Sequence, residues 1–434
     1  MQAIEIKNIG PLVDTGRVPI TQVMLLVGEQ STGKSTFMKI LCFCSWIEKQ
    51  IMIGERSALY NYTHYYRFWN ELMKFHHLNE DFFTDNSFIK YEGKAVQIEM
   101  HGKKRNAIIK PTLNFEKEKH NVKLCFLPAE RNLLSSIQNI ENLYRSKDID
   151  FLFNFILEWR EARANFDAKN PLELVFANHM SYHYDDQNGE VLTLTDKHLN
   201  IKPHYASSGV QSALPIQVLA SFLAQKVGTS AKISPMEYVV NIAQSGEKID
   251  KNMLASIVQD LIKTDGKKVS DTTLDAFPTL EKIFEQMKRR SEYKSFHLFV
   301  EELEQNLFPS AQFELIKLLI ALTVRMKDTV ADYDSSIFLT THSPYVLTAL
   351  NVWMLAAEAY EKAAEKVEAM GLKPYVLPTG AYSAYCIKDG RFENIMDTEY
   401  HFIKGDFLDS ISEEVDEYTY QLNQLIYGNT EGEA

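Results

Sequence analysis

Eight consecutive residues, Gly28-Glu29-Gln30-Ser31-Thr32-Gly33-Lys34-Ser35, restrict what this chain can fold into more than any other stretch. They follow the apolar run Val23-Met24-Leu25-Leu26-Val27 and precede a helix-favouring segment from Thr36 to Gln50. Taken alone, the eight residues match an exposed Gly/Ser turn as well as a phosphate loop. A buried strand before them and a helix after them favour the phosphate loop, because glycines let backbone N–H groups turn inward and the helix start adds its positive end. The expected cradle is Gly28, Glu29, Gln30, Ser31, Thr32, Gly33, Lys34, Ser35 and Thr36. In such a loop the Lys34 ammonium reaches the β- and γ-phosphates of a nucleotide, and the Ser35 hydroxyl sits on Mg²⁺.

The chain is long enough, at 434 residues, for two or three compact units or for one domain with insertions. Its formal charge of −12 argues against a broadly basic surface that coats nucleic acid. Lys103-Lys104-Arg105 and Lys288-Arg289-Arg290 are local basic clusters of the kind that usually face solvent. The four cysteines, Cys42, Cys44, Cys125 and Cys386, are too few for a disulfide framework in a chain of this length. Cys42 and Cys44 stand two apart on a predicted helix and face different ways, so they make no metal pair. The start, Met1-Gln2-Ala3-Ile4-Glu5, has neither a basic nor an apolar leader segment, and the apolar stretch Leu315 to Val324 is too short to span a bilayer. A cytoplasmic protein without a membrane contact is expected.

Ala3 to Ile6 alternates as a strand, and Thr21 to Val27 reads as the buried strand that feeds the loop. Gln50 to Asn79 reads as helical and rich in aromatics, which favours packing over a base-stacking platform. Ser87 to Tyr91, Ala95 to His101, Asn106 to Phe115 and Val122 to Leu127 are four candidate strands, predicted to form an antiparallel sheet beside the nucleotide strand. Phe151 to Phe166 has helical character. Met180 to Tyr184 and Glu190 to Leu194 flank Asn188-Gly189, a strong hairpin signal. Residues 227–295 read as a polar helical section without heptads, Phe296 to Val300 and Ile337 to Thr341 as buried strands, and Ala311 to Lys327 and Val346 to Met370 as helices. Cys386, Trp353 and the tyrosines near Tyr382 and Tyr385 read as core or interface. The predicted division is 1–130 with the phosphate loop and an antiparallel β subdomain, 131–295 with a β-hairpin and helical insertion, 296–400 as a second lobe, and 401–434 as an acidic tail.

Three further stations stand in order behind the loop. Ser207-Ser208-Gly209-Val210-Gln211 precedes a helix and offers hydroxyls and N–H groups at its N-terminus, a second anion site. Glu301 and Glu302 follow an apolar strand, where Glu301 can hold the water shell of Mg²⁺ and Glu302 can orient or deprotonate a water. His342, after Thr340-Thr341, can contact a terminal phosphate. Each station alone is an ordinary surface feature; their order and their placement at strand ends give them joint weight.

These stations resemble the ABC-type ATPase heads of the SMC/RecF/OLD superfamily. More closely, Phe126-Leu127-Pro128-Ala129-Glu130-Arg131-Asn132, Ala206-Ser207-Ser208-Gly209, Glu301-Glu302-Leu303-Glu304 and Thr341-His342-Ser343-Pro344 resemble OLD-like ATPase subunits of bacterial anti-phage systems. The resemblance runs from Ile4 to about Trp353. It implies an α/β P-loop NTPase fold of the ABC-head type, with ATP and Mg²⁺ as cofactors. It also implies a homodimer or higher oligomer, in which Ser207, Ser208, Gly209 and Gln211 of one copy cap the nucleotide held by the Lys34 loop of another. The catalytic residues would be Lys34, Glu302 and His342, and the metal side would be Ser35 with Glu301. Glu301-Glu302 replaces the family's usual aspartate-glutamate pair, and Leu303 stands where a proline often follows. The glutamine of the family's Q-loop has no clear counterpart between Glu48 and Gln138, where Arg131 is a candidate phosphate contact. No Asp-x-Asp pair of a TOPRIM nuclease occurs from Tyr375 to Ala434, so DNA cleavage by this chain is not expected and a nuclease or similar effector would be a separate protein. Two alternatives carry different tests: a RecF-like genome-maintenance ATPase would bind DNA in a salt- and ATP-dependent way, and a transporter subunit would need a membrane partner.

Overall fold

Val23 to Val27 is buried on both faces, which is why it is an unbroken apolar run and not an alternating one. Val23, Leu25 and Val27 enter one core, and Met24 and Leu26 enter the other. The computed structural model describes residues 2–54, 56–64, 66–103, 106–137, 140, 150–229, 255, 259, 287, 289–329, 333–397, 402–405, 417 and 419–422. Most of the polar section 227–295, Lys104, Arg105 and Lys288 of the basic clusters, and most of the acidic tail lie outside the described residues.

The strands are β1 (Ala3–Ile9), β2 (Leu12–Asp14), β3 (Val18–Pro19), β4 (Val23–Val27), β5 (Phe83–Glu92), β6 (Val96–His101), β7 (Ile108–Pro111) and β8 (Asn121–Leu127) in the first part. β9 (Leu172–Glu173), β10 (Met180–Asp185), β11 (Gly189–Leu194) and β12 (Leu199–Ile201) follow, then β13 (Tyr293–Val300), β14 (Ser336–Thr341), β15 (Tyr382–Lys388) and β16 (Arg391–Asn394). The helices are α1 (Lys34–Gly54), α2 (Arg56–Thr63), α3 (Arg67–His76), α4 (Leu133–Ser136), α5 (Phe151–Arg163), α6 (Ser208–Lys226), α7 (Pro309–Thr329) and α8 (Pro344–Ala369).

One mixed sheet dominates, in the order β7-β6-β5-β1-β2-β16-β15-β4-β14-β13-β8. Its right half, β15-β4-β14-β13-β8, is parallel throughout. Its left half is an antiparallel wing built on β1, β5, β6 and β7. Helices α5 to α8 cover one face and α1 to α3 the other. Full burial of each such aliphatic or aromatic side chain contributes about 1.5–3 kcal/mol against leaving it in water. The wing is tied to α1 by Glu48, whose buried carboxylate accepts from the Tyr91 hydroxyl at 2.6 Å and the Ala95 N–H at 2.7 Å. Among the described residues no helix is long and apolar enough to cross a membrane.

One expectation needs correction. Val122–Leu127 does not join the antiparallel wing: β8 lies at the far edge of the parallel half and pairs in parallel with β13. Lys123 does not turn that strand outward. Its side chain is buried and its ammonium pairs with Glu158 of α5 at 2.7 Å. Cys386 and the tyrosines Tyr382 and Tyr385, read as core or interface, are buried in β15, which is hydrogen-bonded to β4 beside the phosphate loop. The Asn188-Gly189 hairpin forms as expected, with Asp185 opposite Gly189, in a separate sheet of order β12-β11-β10-β9.

Candidate functional site at the strand ends

The parallel register brings the sites together. Thr341 lies opposite Val27, Leu339 opposite Val300, and Val300 opposite Leu127, so β4, β14, β13 and β8 end at one edge. The residues that follow, Gly28, His342, Glu301 and Pro128, therefore emerge side by side. Loops at the carboxyl ends of parallel strands are where open α/β sheets place ligands.

The loop after β4 needs its glycines. Gly28 has φ +148° and a Cβ there would stand 2.6 Å from the Ile387 carbonyl of β15. Gly33 has φ +111° and a Cβ would meet Leu12 at 2.6 Å. Thr32 closes the turn by donating from Oγ1 to the Glu29 carbonyl at 2.9 Å. Glu29, Gln30, Ser31 and Ser35 are exposed, while Thr36 is buried in the first turn of α1. The Lys34 ammonium donates to the carbonyls of Gly28 at 2.8 Å and Glu29 at 2.6 Å, so it lies folded along the loop. Burial pulls the Lys34 pKa down, opposed by the carboxylates of Glu302 and Glu304.

Glu301 is 4% exposed, and burial raises its pKa against the pull of Lys39, the Ser35 hydroxyl and the Ala129 N–H. One oxygen, Oε2, accepts from that N–H at 3.3 Å; the other, Oε1, has no hydrogen-bond partner among the described residues. A buried oxygen without a donor, beside an exposed serine at the start of α1, fits a hydrated Mg²⁺ completed by phosphate oxygens and water. Among the described residues no group of three or more His, Cys, Asp or Glu side chains gathers as a metal cage. A phosphate-loop metal does not need one.

Glu302 sits at φ +45°, a strained setting for a non-glycine residue. Its N–H donates to Thr340 Oγ1 at 2.9 Å. Glu304 holds the next strand end: its carboxylate accepts from Thr341 Oγ1 at 2.7 Å and from the His342 N–H at 2.6 Å. Ser343 then caps α8 and donates to Gln312 of α7 at 2.7 Å. His342 itself lies over the loop, near the Gly28 carbonyl and Lys34, and burial with the Lys34 charge lowers its pKa. A neutral imidazole there keeps one N–H to donate and one nitrogen to accept.

Arg131 is fully buried, and its guanidinium is taken up by backbone carbonyls: Nη1 donates to Glu301 at 2.6 Å, Nη2 to Glu302 at 2.7 Å and Nε to Ser212 at 3.0 Å. The expected phosphate contact is thus an internal brace. Sequence reasoning also assigned no task to Glu304. The signal for both was present only as a charged residue just past an apolar strand.

Ser207, expected as an anion contact, caps α6, its Oγ accepting from the Val210 N–H at 3.5 Å. Ser207 and Ser208 are exposed. Gly209 is held against the loop after Glu302; a Cβ would lie 2.8 Å from the Asn306 carbonyl. Gln211 differs from its neighbours. Its Nε2 donates to the Pro203, His204 and Ala206 carbonyls, and its Oε1 accepts from Ser136 at 2.9 Å. That amide braces its own turn instead of facing outward.

The strand order, the glycine loop and the strand-end carboxylates define a P-loop α/β fold with an antiparallel β wing. No protein-family model matches the chain, and no curated protein does. Among solved structures, the chain is similar to an SMC head bound to the C-terminal winged-helix domain of ScpA, at 9% identity over 92% of this chain and 97% of that one, with a TM-score of 0.35. It is similar to the SMC head domain from Thermotoga maritima at 8% identity over 91% and 97%, with a TM-score of 0.35. It is also similar to the recombination mediator RecF in its ATPrS form, at 10% identity over 91% and 97%, with a TM-score of 0.29. At this level none of them assigns an activity, ligand or partner to the present chain.

Proposed function

We propose that this chain is a Mg²⁺-dependent ATPase of the ABC-head type, in which two copies close around the nucleotide. The observation that carries the reading is the shared strand edge that sets the Gly28–Ser35 loop, Glu301, Glu302 and His342 side by side. Lys34 exchanges its contacts with the Gly28 and Glu29 carbonyls for phosphate oxygens, a small motion for a side chain already in the loop. Ser35 and Glu301 hold Mg²⁺, which offsets phosphate charge when bound. Glu302 accepts the proton of the attacking water, and His342 donates to the terminal phosphate.

The second half of the site is a proposal about a second copy. The start of α6 at Ser207, Ser208 and Gly209 offers N–H groups and hydroxyls to an anion, and Ser207 and Ser208 are exposed. Lys34→Ala and Ser208→Arg should each abolish hydrolysis. Mixed in equal amounts they should restore roughly a quarter of wild-type activity, because half of random two-fold pairs are mixed and each mixed pair keeps one intact site. Full hydrolysis by Lys34→Ala would overturn the ATPase reading, and no recovery on mixing would overturn the shared site.

The biological setting rests on the motif resemblance alone: an ATP-driven switch in cytoplasmic anti-phage defence, controlling a separate effector. Purification of the tagged chain with the products of neighbouring genes, with and without ATP, tests it. An effector nuclease that binds only with ATP supports the switch; a permease or no companion counts against it.

A further inference from the structure

A second cavity lies on the opposite side of α1 from the wing contact and away from the strand ends. It has a volume of about 450 Å³ and lies among α1, α3, α5, β8 and the first residue of β13. Phe43, Trp46 and Lys49 of α1 line it, with Lys123 and Phe126 of β8 and Tyr293 of β13. Lys49 is fifteen residues beyond Lys34 on one helix, roughly 22 Å at 1.5 Å per residue. Tyr293 starts the strand whose other end leads to Glu301. The cavity is therefore separate from the phosphate loop.

Its charges do not balance internally. Lys123 is paired with Glu158 at 2.7 Å and with Glu161 at 3.6 Å, and Arg67 is paired with Glu71 at 2.5 Å. Lys49 makes no ion pair among the described residues; its ammonium lies 5.4 Å from the centre of the Tyr293 ring. Lys123 lies 5.5 Å from the centre of the same ring, so two ammoniums lie against one aromatic ring. Burial and the Lys123 charge push Lys49 down to about 8, with Glu158 opposing. An anion beside Lys49 would supply the missing countercharge. Phe43 and Trp46, nearly parallel with centres 6.4 Å apart, give the cavity an aromatic wall together with Phe75 and Phe126, a lining suited to an apolar ring. The volume is in the range of small-molecule sites, which combine apolar walls with a few fixed polar groups.

We propose that this cavity binds a small aromatic anion, a flat apolar ring system carrying a carboxylate or a phosphate, with Lys49 as its charged contact. Isothermal titration calorimetry of the full chain with 2-naphthoate, 1-naphthyl phosphate and the neutral 2-naphthol tests this. One or both acids should bind at least about ten-fold more tightly than 2-naphthol, the worth of one charge-assisted contact. Lys49→Met, which removes charge at similar volume, should erase that preference and leave 2-naphthol binding in place. Lys49→Arg should keep the preference, and Lys34→Ala, although it abolishes hydrolysis, should leave the binding of all three compounds as it is. Absence of binding, equal affinity for acids and naphthol, or loss of binding in Lys34→Ala would each overturn the proposal, the last by assigning the acids to the phosphate loop.

Discussion

The Arg131 guanidinium donates to the Glu302 carbonyl at 2.7 Å, and the same planar fork reaches Ser212 of α6 through Nε at 3.0 Å. One buried side chain thus joins the strand-end carboxylates to the first turns of the helix that Ser207 caps. Burial brings the Arg131 pKa down to about 10, opposed by Glu304, Glu302 and Glu301. It stays a cation at any ordinary pH.

Arg131→Met should take a buried donor from the carbonyls of Glu301, Ser212 and Glu302, the last of which keeps the Gln305 N–H, at a cost of roughly 1–3 kcal/mol. Urea unfolding measures it. Arg131→Lys keeps the charge but loses the fork, so it should recover part of the stability and little of the hydrolysis rate. An unchanged unfolding midpoint in Arg131→Met would show that the brace is not structural.

Gly209→Ala places a Cβ 2.8 Å from the Asn306 carbonyl, backbone against backbone. Relief requires the start of α6 to move from the loop after Glu302, costing about 1–3 kcal/mol. Hydrolysis should fall several-fold, while binding of a fluorescent nucleotide by the Lys34 loop of an isolated copy should be nearly unchanged. Parallel loss of both would indicate a general folding defect instead.

Glu304→Gln replaces an acceptor of two donors by a side chain with only one oxygen, so either the Thr341 hydroxyl or the His342 N–H faces an amide NH₂. The expected cost is about 1–3 kcal/mol. His342 should lose its fixed place over Gly28, with kcat falling more than KM rises. Glu304→Ala should do no better.

His120 is buried and His297 half-buried in β13, and removal from water lowers their pKa values to about 4 and about 3 from the ordinary 6.5. Both are neutral in the folded protein at pH 7. The unfolded chain binds protons at these positions first as pH falls, so their contribution to stability is complete above 6.5 and is lost as pH falls to about 4 for His120 and to about 3 for His297. The loss should reach roughly 2–4 kcal/mol per histidine at its full extent. Urea denaturation at a series of pH values should show this slope, and His297→Gln should flatten it.

The Gly28–Ser35 loop could be read in the chain because strand, loop and helix are consecutive, and the reasons for each residue are local: φ above zero at Gly28 and Gly33, a helix start at Lys34. The Asn188-Gly189 hairpin was legible for the same reason. Glu301, Glu302 and His342 could be picked out as strand-end residues, but their adjacency could not, since it depends on Val300 lying opposite Leu339 and Thr341 opposite Val27. Pairing between strands hundreds of residues apart leaves no periodic trace. That Val122–Leu127 pairs in parallel with β13, with Lys123 buried against Glu158, could not be read from its own residues, because the partners lie far along the chain. Arg131 was drawn towards phosphate by its charge and inward by three carbonyls, and only the folded chain brings those carbonyls to it.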